Sequence, residues 1–178
     1  QRNIYIVPTR AGLTFVLVLL VMLLASINYQ LGLGYVLTFL LAGAGFVSMH
    51  LTHNTLRGLT LHLAPPEPVF AGSAAALRIQ LANPARGIRH AIGLAVLDAP
   101  QGDGSHWAWT DVPGQGQASV QVAFVPRRRG LQGVPVLTAE TRFPLGTFRV
   151  WTVWRPAAQV LVYPAPEPLP PPLPEGEP

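Results

Sequence analysis

Two observations predict a mixed fold, a two-helix transmembrane hairpin followed by an all-β sandwich of immunoglobulin-like or fibronectin-like type. The first is charge. No Asp, Glu, Lys or Arg occurs between Arg10 and Arg57, and the first acidic residue is Glu67. The second is period. From Leu59 onward the apolar residues recur at every second position, in short runs separated by Pro and Gly. Across 178 residues only 11% are charged, against about 25% in a soluble domain, and the deficit lies in the N-terminal third.

The first span is read as Ala11–Ile27 and the second as Gly34–Met49, with Leu51 extending it. A hydrocarbon core of ~30 Å takes roughly 20 helical residues, and Tyr5, Tyr29, Tyr35 and Thr52 complete each span at the interfaces. Apolar residues lie all round both helices, as expected of segments facing lipid or a bundle interior rather than of a surface amphipathic helix. Thr9, after Pro8, is the expected N-cap of the first helix. Asn28-Tyr29-Gln30 with Gly32 forms a connector too short to hold a domain, so the helices are expected to run antiparallel. A cleaved signal peptide fits less well: the apolar core is too long, Ala25-Ser26-Ile27 is a poor cleavage site, and a second span follows directly.

Arg2 and Arg10 precede the hairpin, Arg57 follows it, and the connector carries no charge. The positive-inside rule then places both ends, and the β domain, in the cytoplasm. The expected organisation is a cytoplasmic N-terminus over 1–10, the hairpin over 11–57, the β domain over 58–164 and a Pro-rich linker over 165–178. Gly43-Ala44-Gly45 offers small residues for close helix packing.

In the β domain, Leu59/Leu61/Leu63, Leu77/Ile79/Leu81, Ile92/Leu94/Val96 and Val120/Val122/Phe124 each mark a strand with one buried face. Further strands are expected at 136–143, 147–154 and 159–163. Turn signals stand at Pro65-Pro66, Ala71-Gly72-Ser73, Asn83-Pro84, Pro100-Gln101-Gly102, Pro113-Gly114 and Arg129-Gly130. Seven or eight short strands of this kind are the pattern of an antiparallel sandwich, here without the Cys-Trp-Cys spacing of true immunoglobulin domains. The closing APEPLPPPLPEGEP reads as an extended linker, with an SH3-type ligand as the lesser reading. With a chain that begins at Gln1, it suggests a piece of a longer protein.

The residues that carry chemistry are few. There is no Cys, which removes thiolate metal sites and cysteine nucleophiles. His50 and His53 share a helix face, but no third ligand stands near them, so no metal is expected. Arg127-Arg128-Arg129 is the densest positive charge in a chain of net charge +4. It suits an acidic partner surface or anionic lipid, and without interleaved aromatics it does not suit nucleic acid. Asp103, His106, Trp107, Trp109 and Asp111 form a cluster without a nucleophile; a strand with a Trp face explains it equally. Glu140 and Arg142 alternate outward and are expected to pair on the surface. No phosphate loop or paired-carboxylate site is present, and the chain does not read as an enzyme or as needing a cofactor.

The opening IYIVPTRAGLTFVLVLLVMLLASINYQLGLGY, the segment HNTLRGLTL, VFAG at 69–72, Arg-Arg-Gly at 128–130, FPLGTFRVW at 143–151 and VYPAP at 162–166 follow in the order seen in one bacterial family. In these stretches the chain resembles the N-terminal half of domain-of-unknown-function family 58 membrane proteins. The resemblance implies a bacterial plasma-membrane hairpin, a β domain and, after the Pro-rich linker, a further domain resembling a von Willebrand A-type fold. Genes of that family commonly lie beside those for MoxR-type AAA+ ATPases and transglutaminase-like membrane proteins, which implies such partners and a scaffold or accessory role. The alternative is a membrane-bound enzyme or envelope-remodelling component whose active domain lies beyond residue 178.

Overall fold

The structure, a computed structural model, describes residues 4–97 and 107–166. Arg2, the Pro100–Gly102 turn, Asp103, His106 and most of the Pro-rich tail lie outside the described residues. Two long apolar helices are followed by a β-rich region in largely antiparallel sheets.

Helix α1 (Arg10–Asn28) begins where the sequence directs it. Thr9 is its N-cap, and the Thr9 hydroxyl accepts the Gly12 N–H at 3.1 Å, satisfying one of the donors that a helix start leaves open. It ends through the Tyr29 N–H on the Ala25 carbonyl, at 2.9 Å, and a left-handed Gln30. Helix α2 (Gly32–Leu56) runs a turn or more past the expected end at Met49. Both helices are long and apolar enough to cross a membrane. They lie antiparallel, with Ser26 against Gly34 and Phe15 against Gly45. Of their Ser and Thr side chains, Ser26, Thr38, Ser48, Thr52 and Thr55 are buried, whereas Thr14 is exposed, as are His50 and Asn54. Four of these hydroxyls donate to the carbonyl one turn back, Ser26 to Met22, Thr38 to Gly34, Thr52 to Ser48 and Thr55 to Leu51, so none carries an unmet donor into the helix interface.

Eleven strands make up the rest of the described residues: β1 (Ile4–Pro8), β2 (Thr60–Leu63), β3 (Val69–Phe70), β4 (Ala75–Asn83), β5 (Arg89–Val96), β6 (Ala108–Val112), β7 (Gly116–Phe124), β8 (Gly130–Gly133), β9 (Leu137–Thr141), β10 (Phe148–Trp154) and β11 (Gln159–Tyr163). They form a five-stranded sheet in the order β1-β10-β9-β5-β6 and two three-stranded sheets, β2-β4-β7 and β3-β11-β8. Every pairing is antiparallel except β3 with β11. The alternating residues of β4 (Leu77, Ile79, Leu81) and β7 (Val120, Val122) meet those of the five-stranded sheet (Ile92, Leu94, Leu137, Val150) in one buried cluster. Each such side chain contributes roughly 1.5–3 kcal/mol by leaving water.

The seven expected strands are present within a few residues. Four others, β1, β3, β6 and β8, were not named as strands by the periodicity, although a Trp-faced strand was one reading of the segment that holds β6. The least anticipated is β1. It precedes the first helix and pairs with β10, Tyr5 opposite Trp151 and Val7 opposite Arg149. Leu56 and Leu59, at the other end of the hairpin, enter the β core. The hairpin is therefore fastened to the β region at both of its ends.

Candidate functional site

The outer face of the five-stranded sheet concentrates the aromatic and charged side chains. The register places Tyr5, Trp151, Glu140, Gly93 and Trp109 in one row across all five strands. Tyr5 stacks on Trp151 with ring centroids 5.7 Å apart. Trp107 stacks on Trp109 at the same separation. Trp109 lies over Gly93 so closely that a Cβ there meets the ring at 2.7 Å; Gly93 leaves the space that the indole fills, beside Glu140.

Glu140 is the most deeply placed charge on this face, with 1% of its side chain exposed. Arg149 Nε donates to one carboxylate oxygen at 2.6 Å and Arg142 Nε to the other at 3.2 Å. The Arg149 guanidinium also stands 5.1 Å from the centre of the Trp151 ring, a cation–π distance. The expectation of an exposed Glu140–Arg142 surface pair is corrected here: the pair forms, but Glu140 is buried between aromatic neighbours and needs a second cation. A carboxylate taken out of water demands hydrogen bonds on both oxygens. Arg149 was missed because it lies on another strand, although the alternation of Arg149 and Trp151 with Val150 already put the two on one face.

Beside this row, β5 carries a bulge between Arg89 and Ile92, with Ala91 at a left-handed φ of 51°. The Asp111 carboxylate accepts the Ala91 N–H at 2.7 Å and stands 3.1 Å from His90 Nδ1. The Ala91 N–H first, and His90 second, hold the Asp111 carboxyl below its ordinary value. His90 also lies 5.0 Å, centre to centre, from the Phe143 ring. Asp111 therefore has a local structural task, holding the bulge in place. Its sequence neighbours Asp103 and His106 lie outside the described residues, while Trp107 and Trp109 belong to the aromatic row.

The basic turn lies elsewhere. Arg127, Arg128 and Arg129 are all exposed and lead into β8. The turn is shaped by Gly130, at φ 105°, and by Gln132 donating to the Arg128 carbonyl at 2.6 Å. Helix α2 packs on β1, β5, β9 and β10, so the turn belongs to a different sheet from the one that meets the helices.

Of the small residues in α2, Gly45 is buried, and a Cβ there meets the Phe15 ring at 2.9 Å, whereas Gly43 and Ala44 are exposed. Closer approaches occur at two glycines that were not singled out. Gly34 takes the Ser26 hydroxyl, and Gly12 takes the Thr147 carbonyl, which a Cβ would meet at 2.2 Å and 2.1 Å. His50 stacks on Phe46 at 5.7 Å. Among the described residues no group of three or more His, Cys, Asp or Glu side chains is placed to hold a metal.

No family model and no curated protein matches the chain.

Proposed function

We propose that this chain is a membrane-anchored scaffold of the family 58 type. In this reading α1 and α2 span a bacterial plasma membrane, and the β region is a sandwich of immunoglobulin-like or fibronectin-like kind held at the cytoplasmic face. Its task is to present binding surfaces to a MoxR-type AAA+ ATPase and a transglutaminase-like membrane protein. The observation that carries the proposal is the hairpin, with five of its six Ser and Thr side chains buried and its large apolar side chains mostly outward, and with both ends fastened to one β region. Arg10 and Arg57 stand at that same end and the connector has no charge, which favours a cytoplasmic β region. The aromatic row on the five-stranded sheet and the Arg127–Arg129 turn are the two surfaces offered to partners. The first suits a flat, partly apolar contact, the second an acidic one.

Topology tests the reading. Ser73 is exposed in a chain without Cys, so Ser73→Cys provides a single thiol in the β region. Labelling by a membrane-impermeant reagent only after the cells are opened is the expected result. Labelling in intact cells, with any outer membrane made permeable, puts the β region outside and removes the ATPase partnership. The exposed His90–Asp111 pair favours a second reading, a membrane-bound enzyme. His90→Asn with Asp111→Asn, if it abolished cellular function while the protein stayed folded and in the membrane, would speak for it.

A further inference from the structure

The loop between β9 and β10, Arg142–Thr147, is bound to the hairpin rather than standing clear of it. The Thr147 carbonyl accepts the Thr9 N–H at 2.9 Å and the Thr9 hydroxyl at 3.1 Å, and the Gly146 carbonyl accepts the same hydroxyl at 2.6 Å. Gly12 of α1 lies directly against Thr147. On α2, the Thr52 hydroxyl lies 2.7 Å from both the Phe143 and the Ser48 carbonyl, which share its one proton, and Ser48 touches the Thr147 hydroxyl at 3.5 Å. The loop therefore sits level with Gly12 on one helix and with Ser48–Thr52 on the other.

That level has a depth. At about 1.5 Å of rise per residue, Gly12 lies about 24 Å from the end of α1 at Asn28, and Ser48 about 24 Å from the start of α2 at Gly32. A hydrocarbon core is ~30 Å thick. With the Tyr29–Leu31 connector at the far interface, the near boundary of the hydrocarbon falls at the level of this loop, since Thr52 lies about 30 Å from Gly32. Two further features suit that place. Leu145 is 55% exposed, and Phe143 and Pro144 are exposed beside it. The backbone carbonyls of Phe143, Gly146 and Thr147 are taken up by hydroxyl or amide donors from the hairpin, which irregular backbone at membrane depth requires. Arg142, which pairs with Glu140 but keeps 56% of its side chain exposed, and the exposed Arg10 stand at the domain end of the loop, where a bilayer so placed would put its phosphates.

We infer that the Arg142–Thr147 loop is a third membrane-contacting element. Phe143 and Leu145 enter the boundary between headgroups and acyl chains of a phospholipid bilayer, and Arg142 meets the phosphate layer. The inference rests on the spanning reading of α1 and α2. It goes beyond that reading by fixing how the β region is oriented, because a third contact stops the five-stranded sheet from tilting about the hairpin.

The test uses single thiols in the Cys-free chain, labelled with an environment-sensitive fluorophore. The whole chain is reconstituted in vesicles of phosphatidylglycerol and phosphatidylethanolamine containing nitroxide-labelled lipid. Leu145→Cys probes the loop, Val21→Cys the middle of α1, and Leu131→Cys a remote exposed site. The expected result is loss of emission at Leu145, greater with the nitroxide near the carboxyl end of the acyl chain than near its methyl end. Val21 shows the opposite order, and Leu131 shows no loss. Quenching at Val21 with none at Leu145 overturns the loop contact and leaves the spans standing. No quenching at either position overturns the spanning reading and the loop contact together. Pro144→Cys, also exposed, repeats the loop measurement at a second position, and agreement between the two is required for the inference to hold.

Discussion

The hairpin and the β region use the same side chains in opposite ways. Leu17 and Leu40 on the helices are 61% and 68% exposed, whereas Leu77 and Leu81 in β4 are fully buried. The polar residues reverse in step: Ser48 and Thr52 are 2% and 0% exposed on α2, while the polar partners of Leu77 and Ile79 on β4, Arg78 and Gln80, face outward. Folding in water puts apolar groups inside because water rejects them. A segment whose surroundings are lipid gains nothing by hiding Leu, and gains most by giving each hydroxyl and carbonyl an internal partner. The β region follows the first rule, and the proposed spanning of α1 and α2 rests on the second; the changeover falls at Leu56, the last residue of α2 and a member of the β core.

The sharpest way to break the contrast is one truncation on each side of it. Ile79→Ala empties a fully buried site and is expected to cost about 2–5 kcal/mol, measured by denaturant unfolding in mild detergent with Trp fluorescence as the signal. Leu17→Ala, on an exposed helix face, is expected to shift the same transition by less than about 0.5 kcal/mol. Equal losses from the two would remove the distinction.

A smaller effect is expected at Glu140, where the β region buries a charge. Removing one partner of a buried ion pair costs about 3–5 kcal/mol. Arg149 and Arg142 are 40% and 56% exposed, and water screens what the lost carboxylate leaves behind. Glu140→Ala is therefore expected to cost roughly 2 kcal/mol. It should also red-shift Trp emission, because the same face holds Trp109 and Trp151. An unchanged midpoint and spectrum would show the triad to be dispensable.

The smallest effect concerns pH. The fold holds the Asp111 carboxyl below its ordinary value near 3.8, chiefly through the Ala91 N–H and then through His90. The stabilisation is complete above that ordinary value and fades as pH falls through the lower value of the folded state. Asp111→Asn is expected to lower stability slightly and evenly across neutral pH, and to converge on the parent as pH falls below about 4, so that the acid limb flattens. A flattening at neutral pH instead would assign the pH response to another group.

Much of this was legible in the sequence, for identifiable reasons. The helices declared themselves through an uninterrupted apolar, charge-free run and a Thr9 cap, both local signals. Strands such as β4 and β7 declared themselves through alternation, which survives wherever one face is buried. What escaped was set by distant partners. Ile4–Pro8 is a short apolar run with no alternation, and it becomes a strand only beside β10, near the other end of the chain. β3 and β8 are too short to show a period. Glu140 looked like an ordinary outward charge because nothing in its own strand reveals that Arg149 and the Trp109–Gly93 packing enclose it. In the Gly43-Ala44-Gly45 stretch, composition alone could not tell which residue meets α1; only Gly45 does.

The pairing of β1 with β10 also sets an order of events during synthesis. β1 leaves the ribosome directly ahead of the two helices, and its partner is made only after most of the other described strands. Until residues 148–154 emerge, β1 waits beside the helices with its edge unmet, and the five-stranded sheet closes late. A nascent chain halted before β10 therefore presents an open strand edge beside its own hairpin, a ready template for the wrong partner, and the arrival of β10 removes that hazard by covering β1.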